Sequence, residues 1–333
     1  MDNKNSIKTT LVNDKKNNFL LALKRTFGAR EMMMVLLIIA TCIIMTILSP
    51  YFLSLTNFVA IARSFSMEGI VAVAMGLLLI VGMFDLSVGS VMALCGIVSA
   101  VMIVTLHLPY FVAVLGGLVT GALIGVINGL LVTRIHINPL IATLGMMTIV
   151  RGIALGVTEG SPVINVPENF AWLGQGNVIG IPVPFFIMFV IALVVDILLR
   201  RGRTLRQLYY VGGNQKAARL SGIPVDRIIL LSFVGTGVAA ALGGILTMAR
   251  LTSGIPTAFD TVALDVIAGC VIGGMSMAGG EGTILGAILG VVFMSLISNA
   301  MTMLSVSVYW EGVVTGAILI IAVGADMLSR RKL

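Results

Sequence analysis

Apolar residues run along this chain in long blocks joined by short polar or glycine-bearing turns. A bilayer crossing takes about 20 residues, with roughly 17 to 25 acceptable. Ten blocks meet that length: 31–49, 58–81, 87–106, 110–133, 139–157, 183–199, 227–249, 262–279, 283–303 and 309–327. The pattern predicts an all-α polytopic membrane protein with about ten transmembrane helices. Residues 1–30 form a cytoplasmic tail and 31–333 a single transmembrane domain. The turn near Asp85 fits either the inner edge of the bilayer or a position inside it.

Charge tests the count. Loops that carry Lys and Arg face the cytoplasm. With ten crossings the inner side receives seven basic residues before the first block, then Arg134, seven between Arg200 and Arg227, and Arg330, Arg331 and Lys332, which is 18 of the 21. Only Arg63, Arg151 and Arg250 fall elsewhere. One crossing fewer or more before the 200–227 loop sends seven positive charges outward. Both termini are therefore expected in the cytoplasm. The long basic flank before Met32–Leu48, with no small-residue cleavage pattern, reads as an uncleaved anchor.

Composition narrows the class further. With 58% apolar and 11% charged residues and a mean hydropathy of +1.10, no ordinary polar surface is possible, and lipid is the surrounding partner. The basic residues cluster at loops and ends without aromatic platforms, which excludes nucleic acid as a partner. Cys42, Cys95 and Cys270 sit inside apolar blocks without paired spacing, and His107 and His136 are isolated, so no metal site or disulfide framework is expected. Glycine recurs at 117, 121, 125 and 129, at 269 and 273, and at 286 and 290. Such rows of small residues let helix backbones approach closely in lipid. Asp196 with Arg200, and Asp326 with Arg330, have the i, i+4 order that supports a helix end.

Two polar segments have real length. On the inner side, Asn214 stands where an N-cap belongs, QKAARLS forms a two-turn helix, and Gly222 with Pro224 stops it. A short basic helix on a cytoplasmic loop is a docking part. On the outer side, Glu159–Pro182 is rich in Pro, Gly and Asn, with Phe170 and Trp172 placed for the membrane interface. This segment is a plain loop, a cap over the pathway or a receiver for an external partner; with Arg63 and Arg250 it is expected to form the outer rim that meets such a partner.

A polar solute crossing such a protein meets polar side chains at membrane depth. The candidates are Glu68, Asp85, Ser87, Ser90, Asn128, Thr143 and Asn299. Each has a plainer structural role: Asp85 as the N-cap of the third helix, and Asn128, Thr143, Asp265 and Asn299 as hydrogen-bonding glue between helices. Gly279, Gly280 and Gly282 around Glu281 form a tight inner turn, but no Lys-Ser or Lys-Thr follows, so this is not a phosphate-binding loop. The chain is not an enzyme and binds no cofactor of its own. An ion-coupled secondary transporter is the rival reading, with Glu68, Asp85 and Asp265 as its only plausible carboxylate set.

Four motifs in order, Asp85-Leu-Ser-Val-Gly-Ser90, Asn138-Pro-Leu-Ile-Ala-Thr-Leu144, Gly212 to Ile223, and Gly273 to Gly282, resemble the permease subunits of ribose-type and arabinose-type monosaccharide ABC importers. The resemblance covers residue 35 or so to the end. It implies ten helices, bacterial inner-membrane localisation, and two permeases side by side, either identical copies or sisters. A separate ATPase that uses ATP and Mg lies below, and a periplasmic sugar-binding protein above. It also implies that the segment holding Gly212, Gly213, Asn214, Lys216, Ala217, Arg219, Leu220 and Gly222 is the ATPase-coupling helix. One departure is that Met83 and Phe84 separate Gly82 from Asp85, where related permeases carry Gly two residues before the Asp, so the turn is expected to differ in shape.

Overall fold

The computed structural model describes residues 29–330. The basic tail up to residue 28, and Arg331 and Lys332, lie outside the described residues, as do the side chains of Asp326 and Arg330. Among the described residues there are thirteen α-helices and one two-stranded hairpin. In chain order the helices are α1 (Ala29–Leu48), α2 (Leu55–Ile80), α3 (Val88–Val104), α4 (Tyr110–Thr133), α5 (Pro139–Thr158) and α6 (Glu168–Gln175). After the hairpin Asn177–Val178 and Ile181–Pro182 come α7 (Val183–Arg201), α8 (Arg203–Gly213), α9 (Gln215–Leu220), α10 (Val225–Leu251), α11 (Val262–Ile272), α12 (Ile284–Met303) and α13 (Glu311–Arg330). Seven helices are long and apolar enough to cross a membrane. Three more apolar helices, Val88–Val104, Val262–Ile272 and Glu311–Gly324, are shorter.

The predicted helix starts are capped as their sequences dictate. Ser54, Asn138 and Thr283 side chains accept from the backbone N–H groups of Asn57, Leu140 and Gly286, filling part of the orphan donor set at each N-terminus. α10 lies at the centre, packed on α2, α3 and α4. Lipid offers no hydrophobic drive for helices to associate, so close contact has to supply it. Gly121 and Gly237 face one another, and a Cβ on either would fall on the other's carbonyl oxygen. Gly125 meets the Phe233 carbonyl, Gly129 meets Leu230, and Gly117 meets Ser99 and the Cys95 carbonyl. The glycine row of α4 is thus a packing surface for α10 and α3. The other two rows also meet, antiparallel: Gly269 sits on Gly290 and Gly273 on Gly286. Cys95 and Cys270 are buried free thiols within the helical core.

The structure departs from the sequence expectation in three places. First, the block 262–279 is helical only through Ile272, where Gly273 caps the helix and Gly274 follows with φ +96°. With 11 residues, α11 is about 16 Å long, roughly half a hydrocarbon core. The segment 252–261 before it is non-helical, broken by Gly254 and Pro256. It runs along α3, with Gly254 beside Ile97 and Ala100 and the Phe259 carbonyl against Gly89. Second, the outer segment is ordered into α6 and the hairpin. Its Phe170 is only 1% exposed and packs edge-on to Tyr110 at 5.4 Å, so it is a core residue. Trp172 alone stays outside, 54% exposed. Third, the inner loop contains a full extra helix, α8, ahead of the expected one.

Candidate functional site

α8 is amphipathic. It buries Leu208 and Val211 and lays its last turn on two other interhelical turns. A Cβ at Gly212 would land on the Ile80 carbonyl and the Gly280 amide, so only glycine allows this approach. Gly280 N donates to Ile80 O at 2.8 Å, and Tyr209 Oη donates to Gly282 O at 2.8 Å. Gly82, Gly279 and Gly280 have φ of +81°, +86° and +79°, a region that side-chain-bearing residues rarely occupy. The end of α8, the α2–α3 turn and the α11–α12 turn therefore form one rigid junction. Burial, with the Asp196 charge adding to it, raises the Tyr209 phenol above its usual range, which keeps it a hydrogen-bond donor.

α9 projects from this junction. Asn214 is its N-cap, accepting from Ala217 N at 3.0 Å, and the chain leaves through Gly222 at φ +78°. Ala218 faces inward and Arg219 pairs with Asp226, with Nη1 at 3.2 Å from Oδ2. Gly213, Lys216 and Ala217 are exposed, and Leu220 is 91% exposed. Gly213 has open space where a Cβ would go. Of the adjacent glycines, Gly212 serves the internal junction and Gly213 the outer face.

The polar residues singled out at membrane depth fall into separate places. Asp85, Ser87 and Asn128 form one buried network. Asp85 Oδ1 accepts from Ser87 N at 2.7 Å and from Ser87 Oγ at 2.6 Å, while Asn128 Nδ2 donates to Asp85 Oδ2 at 3.2 Å and to Ser87 Oγ at 3.0 Å. Asp85 thus closes the turn before α3 and ties it to α4. Asn128 is five residues short of Thr133, the end of α4, or about 8 Å along the helix, so the turn lies inside the helical layer. Thr143 is buried and bonds back to Pro139 O at 2.8 Å within α5. Asn299 Nδ2 donates to Asn57 Oδ1 at 2.8 Å, and Asn57 Nδ2 to Asn299 Oδ1 at 3.3 Å, a reciprocal amide pair joining α2 to α12. Glu68 lines a cavity of about 40 Å³ together with Asp265 and Glu311, and Ser298 Oγ donates to Glu311 Oε1.

Ser90 is different. It is 1% exposed, its hydroxyl has no partner among the described residues, and it lines a cavity of about 460 Å³ between α3, α5 and the segment before α11. The opposite wall carries an ion pair, Arg151 Nη2 to Asp260 Oδ1 at 2.6 Å, and Arg151 Nη1 also donates to Pro256 O. Sequence reasoning missed this pair, because Asp260 is 109 positions from Arg151. The signal was Arg151 itself, a guanidinium inside an apolar block that has to find a partner or water. In the rim expected on the outer side, Arg63 Nη2 donates to Gln175 O at 2.9 Å and to Asn177 Oδ1 at 3.2 Å, and Gln175 Nε2 donates to Arg250 O at 2.8 Å. The rim is thereby tied to α6 and the hairpin.

The family described as branched-chain amino acid transport system / permease component matches residues 57–323, taking in both the buried turn at Asp85 and the α8–α9 junction. The chain belongs to this permease family. It is 38% identical over 287 residues to the ribose import permease of Escherichia coli, covering 85% of this chain and 89% of that protein. Against the ribose import permease of Bacillus subtilis it is 38% identical over 292 residues, 87% and 89% of the two chains. Against the L-arabinose ABC transporter permease of Azospirillum brasilense it is 35% identical over 299 residues, 90% and 87%. No solved structure matches. As members of this family are transport components, the chain is a multi-pass membrane permease and not an enzyme.

Proposed function

We propose that this chain is the membrane-spanning subunit of an ATP-driven importer that moves a monosaccharide, a pentose or hexose, into the bacterial cytoplasm across the inner membrane. The relatives are ribose and L-arabinose permeases matched over most of their length. The observation that carries the mechanical part is the glycine junction at Gly212. A force applied to exposed α9 passes through α8 to the ends of α2 and α11–α12 without a compliant loop between them. In this reading Gly213, Lys216, Ala217 and Leu220 face a separate ATPase, which binds ATP and Mg²⁺. In this reading, with ten crossings and the basic loops inside, this face and both termini lie in the cytoplasm. The rim of Arg63, Arg250 and α6 then faces a periplasmic sugar-binding protein.

A second permease, identical or a sister, completes the pathway. Gly145, Gly152 and Gly156 on α5 and Gly312 and Gly316 on α13 have nothing within 4 Å of a built Cβ, and small residues of this kind allow close helix contact in lipid. The test is reconstitution in liposomes with the ATPase and binding protein. Uptake of ribose or L-arabinose that requires ATP and both partners is the expected result. Accumulation by the chain alone under a proton or sodium gradient would overturn it in favour of an ion-coupled transporter using Glu68 and Asp265.

A further inference from the structure

We infer that the cavity between α3, α5 and the segment before α11 is a transit site where one sugar ring pauses inside the membrane, held by Ser90, Thr148, Arg151, Phe259 and Asp260. This rests on the sugar-permease reading and adds where the sugar stops and which groups touch it.

The cavity is open to water. Asp260 pairs with Arg151 yet its side chain remains 72% exposed. Arg151 stands seven residues before Thr158, the end of α5, or about 10 Å into the layer. A carboxylate that open at such depth faces an aqueous cavity, since facing lipid is prohibitively costly. The backbone agrees. Non-helical chain at membrane depth is tolerated only where protein covers it or where it lines a wet cavity. The segment 252–261 rests on α3 along one side, while Phe259 and Asp260 line the cavity on the other.

The lining suits a sugar. A monosaccharide presents hydroxyls around its rim and C–H groups on its faces. Arg151 and Asp260 form a planar donor and acceptor pair able to share two adjacent hydroxyls. Thr148 adds a hydroxyl on the same face of α5, one turn before Arg151. Phe259 supplies the apolar plane, and its backbone is held at φ +68°, a conformation disfavoured for a bulky side chain and characteristic of functional positions. Ser90 is the remaining signature. A buried hydroxyl without a partner is rare and calls for an explanation, and a solute or water in this cavity supplies one. The volume of about 460 Å³ lies in the roughly 300–1,000 Å³ range of small-molecule sites.

Because Arg151 and Asp260 already satisfy one another, a sugar replaces existing bonds and is held weakly. That suits an importer, which must release what it carries. The cavity opens along α5 at Gly152, the face left free for a second permease.

The experiment uses the full complex in liposomes, with ribose and L-arabinose as probes. D260N and S90A are expected to lower sugar moved per ATP hydrolysed by about tenfold and about threefold, on the scale of lost hydrogen bonds to a polar substrate. S90A removes only a hydroxyl that has no protein partner, so misfolding does not explain its effect. In a chain whose native cysteines are replaced by alanine, T148C should react with a membrane-impermeant thiol reagent, and sugar delivered by the binding protein should slow that reaction. If D260N and S90A match wild type, or if T148C is inert or indifferent to sugar while wild type transports, the transit site is overturned alone. A wild-type complex that moves neither sugar removes the permease reading itself, and this inference with it.

Discussion

Replacing Gly212 by alanine adds one methyl group where the structure has no room for it. The new Cβ would fall on the Ile80 carbonyl and the Gly280 amide, so α8 must move away and the 2.8 Å bond from Tyr209 Oη to Gly282 O is lost. Overpacking costs about 1–3 kcal/mol, and the lost hydrogen bond about 0.5–1.5 kcal/mol. Together they destabilise the docked position of α8 by about 2–4 kcal/mol, which lowers its docked population by about 30-fold or more. Gly213→Ala is the internal control, because open space surrounds that position and alanine is the better helix former. Binding-protein-stimulated ATP hydrolysis and sugar uptake are measured on the same proteoliposomes. G212A is expected to hydrolyse ATP with little uptake, and G213A to keep the wild-type ratio. Equal coupling ratios for the two variants would refute transmission through the junction.

Leu220→Glu places a charge on the 91% exposed tip of α9 and is expected to abolish co-purification with the ATPase while leaving membrane insertion intact; Lys216→Glu weakens the same association in a salt-dependent way. Asn57→Ala removes both bonds of the amide pair with Asn299 and should lower thermal stability in detergent by about 0.6–1.7 kcal/mol, the scale of interhelical hydrogen bonds in membranes. Asp85→Ala leaves the Ser87 amide and hydroxyl without their acceptor and takes one of two acceptors from the Asn128 amide, costing about 1–3 kcal/mol for each unsatisfied buried group; loss of folded protein in fluorescence size-exclusion profiles is the expected readout. The Tyr209 phenol is raised in the folded state, so its contribution is complete below the ordinary phenol value near 10 and is lost as pH rises beyond it. Tyr209→Phe should flatten that alkaline limb in a pH series of melting temperatures.

Much of this architecture is legible in the sequence because bilayer thickness dictates the length of an apolar block and charge bias dictates which loops stay inside. Those two rules marked out the apolar helices, seven of them long enough to cross a membrane, and isolated the 200–227 loop. Local capping chemistry did the same for α9, where Asn214 and Gly222 took the expected positions. The glycine row of α4 announced a close contact, but its partner on α10 is more than 100 residues away and no local pattern names it. The early end of α11 was hidden for a similar reason. Val262 to Ala278 is apolar throughout apart from Asp265 and Ser276, and hydropathy does not distinguish a half-length helix followed by a glycine turn from a full crossing.

The sequence alone therefore determined the class of protein and the short helix within its charged loop, since each follows from local composition and spacing. Only the tertiary structure decided which residues meet. It joined Gly212 to Ile80 and Gly280, paired Arg151 with Asp260 beside a cavity, enclosed Asp85 with Asn128, and left the Ser90 hydroxyl buried without a partner among the described residues. Those contacts depend on how helices distant in the chain cross, and that is set by close backbone packing at glycines, which a one-dimensional pattern can flag but not pair.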